Sequence, residues 1–183
     1  MNYYGAKEIA ASFRTVRNNT LKIAEDIPED KYSFRPAEGS RTVAQTLIHI
    51  SNVHRFALAI NRDPVLSTME GFNFMAFHGP LAASEEQPMT KAQIVARLTA
   101  GGEEFESWVK TLSDDFLGQA VAMPMGGDRP SRTRFDMLIA VKEHEMHHRG
   151  QLMLVERMLG ITPHLTRDMQ ARRAAMEAAA KKS

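Results

Sequence analysis

Residues 133–159 read TRFDMLIAVKEHEMHHRGQLMLVERML. Its apolar residues recur at three- and four-residue spacing, which predicts one long amphipathic helix. Gly160 follows directly and is a typical residue at the end of a helix. Two histidines within the stretch, His144 and His148, lie four residues apart. Residues at that spacing are stacked on one face of an α-helix, so their two imidazoles can bind one metal ion from the same side.

The two histidines share their predicted helix face with mostly apolar residues. At ~100° per residue, the arc that contains them also holds Met137, Val141, Gln151, Leu152, Val155, Met158 and Leu159. Apart from Arg134 in the first turn, no charged residue falls on this arc, and Glu156 falls elsewhere. We therefore expect the rings of His144 and His148 to face the interior of the protein. His147 lies at the edge of the arc, where it would support the site or an interface.

Three further segments show the same helical periodicity. They run from about Tyr3 to Asp26, from about Thr42 to Ile60, and from a capping box at Thr90 and Gln93 to about Leu112. Two long links, residues 61–89 and 113–131, separate these segments, and a link of that length is usually functional or contains a short helix of its own. There is no convincing series of strands. Four amphipathic helices with long connections predict an all-α four-helix bundle.

The length suits one domain, which we expect to span residues 1–165, followed by an Ala-rich tail at 166–183 that is partly helical. The formal net charge of +1 argues against a nucleic-acid partner. No apolar run approaches the ~20 residues of a membrane span, and the first residues lack the pattern of a signal peptide. Together with the absence of cysteine, these features predict a cytoplasmic location.

Because the chain has no cysteine, a transition-metal site must use histidine, carboxylate and water. A helical histidine pair supplies two ligands, and a stable site normally needs a third from another helix. His49 and His54 both lie near an edge of the apolar arc of the second segment, and periodicity leaves the choice between them open. We expect His54 to be a packed or capping imidazole, His78 to be a loop residue, and His164 to lie on the surface.

The sequence His144-Glu145-Met146-His147-His148 also matches the H-E-x-x-H pattern of zinc proteases, in which Glu145 would act as general base. The extended form of that pattern is missing, because Gln151 and Leu154 occupy the positions of its glycine and third histidine. A metallohydrolase of this type is therefore the less favoured alternative. Glu145 is nevertheless the one residue that the sequence offers as a candidate base.

A resemblance that extends over most of the chain is more specific than the H-E-x-x-H pattern. Residues 135–152, the stretch FRPAEGSRTVAQTLIHI at 34–50, and the exit LGITP at 159–163 resemble the DinB/YfiT family of metal-binding four-helix proteins. The resemblance covers roughly residues 5–165. It implies a three-histidine site made of His49, His144 and His148, which binds zinc or nickel with water at open positions. It also implies a homodimer.

An ion held by three neutral imidazoles keeps its full +2 charge and an open position, where it can acidify water or bind a substrate thiol or oxyanion. The resemblance extends to relatives that transfer or isomerise small-molecule substrates with the help of thiols. Our first hypothesis is a metal-dependent enzyme, such as a thiol-dependent S-transferase or isomerase. The alternative is a non-catalytic protein that the metal stabilises and that binds or senses a ligand. Phe72, Phe74 and Phe77 in the link form either a pocket wall or ordinary core packing.

Overall fold

The structure, a computed structural model, describes residues 4–124 and 127–181. In chain order its elements are α1 (Ala6–Asp26), α2 (Val43–Asn61), α3 (Phe74–Glu85), α4 (Lys91–Val109), α5 (Asp114–Gly118), β1 (Ala120–Ala122), β2 (Ser131–Thr133), α6 (Arg134–Met158) and α7 (His164–Ala180), with a 3₁₀ turn at Glu29–Lys31. The four long helices α1, α2, α4 and α6 form the bundle. The predicted all-α four-helix bundle is therefore confirmed.

Threonine side chains fix where three of the long helices begin. Thr42, Thr90 and Thr133 each accept a hydrogen bond from the backbone N–H three residues later, which satisfies a donor that the first turn leaves unpaired. The backbone N–H of Thr90 donates in return to the side-chain oxygen of Gln93, which completes the predicted capping box. Gly160 has a φ of +78°, a conformation that glycine adopts easily, and the chain leaves α6 there as predicted.

The first two long helices lie on a diagonal of the bundle. Both α1 and α2 pack mainly against α4 and α6 rather than against each other. The link from α1 to α2 and the link from α4 to α6 each cross the end of the bundle, because the helices that they join lie diagonally opposite. As a consequence α6 has α1 on one side and α2 on the other.

The core consists of two apolar clusters separated by a polar layer. One cluster contains Ile23, Leu47, Ile94 and Leu152, and the other contains Phe13, Phe105 and Leu138 among others. Each long helix contributes apolar residues to both clusters. The residues of each helix that lie between these two apolar groups form a layer halfway along the bundle. This layer is where the sequence places charged, small and histidine residues on otherwise apolar helix faces.

The polar layer is built around a buried ion pair between α1 and α6. Arg17 donates from Nε and Nη2 to the two carboxylate oxygens of Glu145, both at 2.9 Å, and from Nη1 to the carbonyl of Leu98 at 2.6 Å. Thr20 donates to the same carboxylate at 2.8 Å. Arg17 is 3% exposed and Glu145 is fully buried, so these bonds replace nearly all of their hydration. The prediction that Arg134 is the one charged residue on the buried face of α6 was therefore wrong, because Glu145 is buried as well.

Two glycines in the middle of α4 make room for this layer. An added Cβ at Gly101 would lie 2.5 Å from Cε1 of His54, and one at Gly102 would lie 2.9 Å from Cγ of Arg17. His54 is 2% exposed, and burial lowers its pKa to about 3, so its ring is neutral. The expectation of a packed imidazole at His54 therefore agrees with the structure.

Each long link contains a short helix, as its length led us to expect, and the second link also contains a strand that was not expected. Residues 61–89 include α3, and residues 113–131 include α5 and β1, which pairs antiparallel with β2 so that Val121 lies opposite Arg132. The tail forms α7, which begins at His164, earlier than the expected boundary at residue 166. Within residues 4–124 and 127–181, none of the helices combines the length and hydropathy that crossing a bilayer requires.

Two residues near the start of the tail are buried against expectation. His164 is 3% exposed and lies 3.2 Å from the side-chain oxygen of Asn19, whereas a surface position was predicted. Glu156 is fully buried, and desolvation raises its pKa to about 7, so the helix-face argument that placed it outside was also wrong. His164 packs against Asn19 of α1, and Asp26 of α1 and Arg167 of α7 lie close enough to Glu156 to affect its pKa, so both positions depend on contacts with α1 or α7.

Removing the buried carboxylate tests the role of the polar layer. The substitution Glu145→Ala leaves the Arg17 guanidinium buried without a counter-charge, and we expect the free energy of unfolding to fall by about 3–5 kcal/mol. Urea denaturation followed by circular dichroism measures the change. Glu143→Ala, at an exposed position of the same helix, is the matched control and should change stability by less than ~0.5 kcal/mol. Equal stability of the two variants would contradict the prediction.

Candidate metal centre

The direction in which Glu145 points determines where the α6 histidines lie. Glu145 faces α1, where it binds Arg17. At ~100° per residue, His144 lies ~100° and His148 ~60° around the helix axis from Glu145, both in the same sense. That side of α6 packs against α2, the helix that carries His49. The ion pair and the histidine pair thus occupy two adjacent faces of one helix.

The three ring nitrogens meet at one point between α2 and α6. Nε2 of His144 lies 2.9 Å from Nε2 of His49 and 3.0 Å from Nε2 of His148. Ligand atoms of all three residues lie within 4.8 Å of one another, and these histidines are the one such group found in residues 4–124 and 127–181. His148 is buried, His49 is partly buried, and His144 is exposed. His144 was expected to face the interior. Its ring lies toward the other two histidines as expected, but the residue is exposed to solvent.

Hydrogen bonds on the opposite side of two rings hold them in this orientation. Nδ1 of His49 lies 2.7 Å from Oε1 of Glu85 on α3, and Nδ1 of His148 lies 2.8 Å from Oε1 of Gln151. A carboxylate or amide oxygen accepts a hydrogen bond from the Nδ1–H group, which leaves the lone pair on Nε2 available. Arg41 donates to the second oxygen of Glu85 at 2.6 Å and so fixes the carboxylate in turn.

The electrostatic surroundings favour the neutral form of all three rings. Desolvation is the largest cause that lowers the pKa of His49, His144 and His148, and the positive charge of Arg41 acts in the same direction. The acceptors Glu85 and Gln151 oppose the shift for His49 and His148. Metal ions bind deprotonated imidazole nitrogen, so neutral rings need no loss of a proton before binding.

The donor set fits a divalent transition-metal ion. Three nitrogens that share one tetrahedral ion at ~2.1 Å lie roughly 3.4 Å apart, close to the separations observed here. When all three rings are neutral, their Nε2 atoms do not carry enough hydrogens to form a hydrogen bond at each contact. One bound cation would instead accept a lone pair from each nitrogen. Imidazole nitrogen suits zinc and nickel among other ions. His49, His144 and His148 are therefore the residues that would hold such an ion.

Two cavities of different character meet at the histidine cluster. His49 and His144 line one of about 280 Å³, which is otherwise bounded mainly by apolar side chains of α2, α3 and α6. His148 lines the other, an open groove of about 780 Å³ with Arg35 and Arg41 in its wall. Glu85 borders both. The histidines thus stand at the junction of an apolar cavity and a polar groove.

The remaining histidines and the candidate base lie outside this cluster. His54 packs against α4, and His78 lies on α3 with its ring stacked on Phe74 at 5.3 Å, not in a loop as expected. The exposed ring of His147 contacts Gln151, which places it beside the site. Both oxygens of Glu145 are engaged by Arg17 and Thr20, so this carboxylate is not available to a substrate in the way the zinc-protease pattern requires.

Sequence reasoning missed Glu85. It lies in the link between the second and third predicted helices, 36 residues from His49, and nothing in the local sequence indicates that it contacts a histidine. Its position depends on α3, which carries Gly79 and Pro80 inside the helix and therefore lacks a clear helical signal.

The sequence of the chain matches a known protein family. A sequence model described as the DinB superfamily matches residues 12–152, most of the chain. The chain belongs to the DinB superfamily. This confirms the resemblance drawn from the sequence around His49, His144 and His148.

Among members of this superfamily, the chain is similar to the uncharacterized protein YjoA of Bacillus subtilis strain 168. The two are 26% identical over 158 residues, which cover 86% of this chain and 92% of YjoA. The crystal structure of YjoA, described as DinB-like, superposes with a TM-score of 0.63 at 23% identity, over 85% of this chain and 93% of YjoA.

YfiT from Bacillus subtilis is a second structural neighbour. It superposes with a TM-score of 0.65 at 15% identity, over 88% of this chain and 91% of YfiT. YfiT is described as a probable metal-dependent hydrolase with an unusual four-helix bundle topology. At these identities the two superpositions establish the DinB fold of this chain.

The contact between Glu85 and His49 gives a testable expectation. The substitution Glu85→Gln removes the negative charge that orients the His49 ring, and we expect it to weaken metal binding by about 10–100-fold. Competition with a chromogenic chelator measures the affinity. Glu86→Gln is the matched control, because Glu86 is exposed and contacts Gln45 rather than a histidine. Comparable losses in the two variants would show that the Glu85–His49 bond has no special role.

Proposed function

We propose that this DinB protein is a metal-dependent enzyme that hydrolyses a small ester or amide at a site formed by His49, His144 and His148. The observation that carries the proposal is the convergence of the three Nε2 atoms at the junction of two cavities. A purely structural metal site is usually closed by four protein ligands, whereas this cluster offers three and adjoins open space.

The ion itself would be zinc or nickel, since three imidazoles suit both. When bound, a divalent ion supplies Lewis-acid chemistry, which polarises a carbonyl and lowers the pKa of water. In the overall reaction the oxygen of water forms a bond to the carbonyl carbon, the bond to nitrogen or oxygen breaks, and the proton passes to the leaving group. The description of YfiT as a probable metal-dependent hydrolase supports this reaction class.

The residues around the cluster prepare the site. Glu85 and Gln151 hold the rings of His49 and His148 with their Nε2 atoms toward the common point. Arg41 neutralises Glu85, so the carboxylate does not repel an anionic group in the neighbouring groove. Since Glu145 is occupied by Arg17, we assign it the role of orienting α6 and not of general base.

A second candidate reaction is thiol-dependent transfer or isomerisation. Its support is the polar groove beside His148, where Arg35 and Arg41 could pair with the carboxylates of a small thiol. The chain has no cysteine that would compete for the metal. In a transfer reaction the thiolate sulfur forms a bond to the electrophilic carbon of a second substrate, and the leaving group departs with its electron pair.

Metal analysis and turnover test the proposal together. We expect purified protein to contain one transition-metal ion per chain by elemental analysis, and His148→Ala to lose both the ion and turnover. Glu143→Ala is the matched control, because Glu143 is exposed on the same helix and lines neither cavity. Turnover is measured on a panel of small esters and amides, with and without thiols, and mass spectrometry separates hydrolysis products from thioethers. Metal-loaded protein without turnover across the panel would contradict an enzymatic role.

We also propose that two copies of the chain form a homodimer through the outer face of α6. Met146, Leu154 and Met158 are 41%, 60% and 52% exposed and, with Gly150 between them, form an apolar stripe along one side of the helix. Light scattering should give the mass of a dimer for the wild type and of a monomer for Met146→Glu, at a position that lines neither cavity. Met169→Glu, at a 67% exposed position of α7, should remain dimeric. A monomeric wild type would rule out this interface.

A further inference from the structure

The apolar cavity beside the histidines follows α2 and α6 away from the cluster. His49 and Phe56 on α2, and His144 and Met137 on α6, all line it. Each pair is seven residues apart, so the cavity extends for roughly 10 Å along the two helices. Arg132 lies beyond the start of α6 at the far end, where Arg132 and Arg129 both donate to Asp136 at 2.7 Å.

Aromatic rings form the wall that α3 contributes. The rings of Phe74 and Phe77 both lie 5.8 Å from that of Phe56, centre to centre, at the distance of a favourable aromatic contact. Phe74 is nevertheless 49% exposed. Phe72 also packs on Phe56 at 5.9 Å but does not line the cavity. Of the two roles weighed for these phenylalanines, Phe74 and Phe77 thus form the pocket wall and Phe72 packs behind it.

The size and lining of the cavity indicate what fills it. The cavity is open to solvent on one side, where Phe74 is 49% exposed, so a ligand can enter it and bury apolar surface against its lining. A dry cavity of about 150 Å³ accommodates benzene, so 280 Å³ holds one aromatic ring with a substituent. The volume is near the lower limit of small-molecule sites, which excludes a bulky ligand. The lining gives affinity for uncharged surface rather than for an ion.

We infer that the substrate carries an uncharged aryl or branched-alkyl group next to its reacting carbonyl, and that this group fills the cavity between α2, α3 and α6. The inference rests on the proposed metal centre and adds a substrate class to it. The carbonyl then lies at the open end, beside His49 and His144, and the more polar part of the substrate extends into the groove beside His148 and Arg41.

Two hydroxamic acids with the same metal-binding group distinguish this inference from the function on which it rests. Acetohydroxamic acid carries a methyl group and benzohydroxamic acid carries a phenyl ring at the position of the proposed substrate group. In metal-loaded protein, isothermal titration calorimetry should show benzohydroxamic acid binding at least ~10-fold more tightly, because its ring is removed from water in the cavity.

A cavity-filling variant supplies the control. Ala140 lines the cavity on α6, and the substitution Ala140→Phe should remove the preference for benzohydroxamic acid while acetohydroxamic acid still binds. Val53→Phe fills the same space from α2 and should do the same if the first variant does not fold. Ala96→Phe, at an exposed position of α4, should keep the wild-type preference.

The outcomes separate the two claims. Equal affinity of the wild type for both hydroxamic acids, or an undiminished preference in folded Ala140→Phe and Val53→Phe, overturns the assignment of the cavity and leaves the metal centre intact. A failure of both compounds to bind metal-loaded protein overturns the open metal centre, and the substrate assignment with it.

Discussion

The buried ion pair between Arg17 and Glu145 is the constraint on which the site depends. A carboxylate without water must face a partner, and here Arg17 on α1 and Thr20 provide all of its bonds. This fixes the rotation of α6 about its axis. In the bundle α1 and α2 pack on adjacent sides of α6. Because Glu145 faces α1, the neighbouring face of α6 lies toward α2. That neighbouring face carries His144 and His148. The charge pair therefore positions the site without contacting a substrate.

The support of the site continues outward through α3. Glu85 orients His49, Arg41 holds Glu85, and the phenylalanines of the same helix close the neighbouring cavity. One short helix thus contributes both to the geometry of the nitrogen cluster and to the shape of the space beside it. A change in the packing of α3 would consequently alter the position of the His49 ring and the binding of the substrate together.

The four long helices and the histidine pair could be predicted from the sequence because their information is local. The spacing of apolar residues, the Thr90 cap and Gly160 each act within one or two turns. Periodicity left His49 and His54 undecided, and only the family resemblance favoured His49. The buried positions of Glu145 and Glu156 and the role of Glu85 depend on residues far away in the chain. A helical wheel treats each charge as exposed, since it contains no information about Arg17 or the covering helix α7.

The diagonal placement of α1 and α2 has a consequence for how the protein is made. His49 and His144 are 95 residues apart, and the helix that carries His144 is the last long one to be synthesised. Local contacts close early on a folding chain, whereas contacts between such distant segments form late. The nitrogen cluster can therefore assemble only after α6 has docked into the gap beside α2. The complete set of three nitrogens that would hold an ion is thus present only in the assembled bundle.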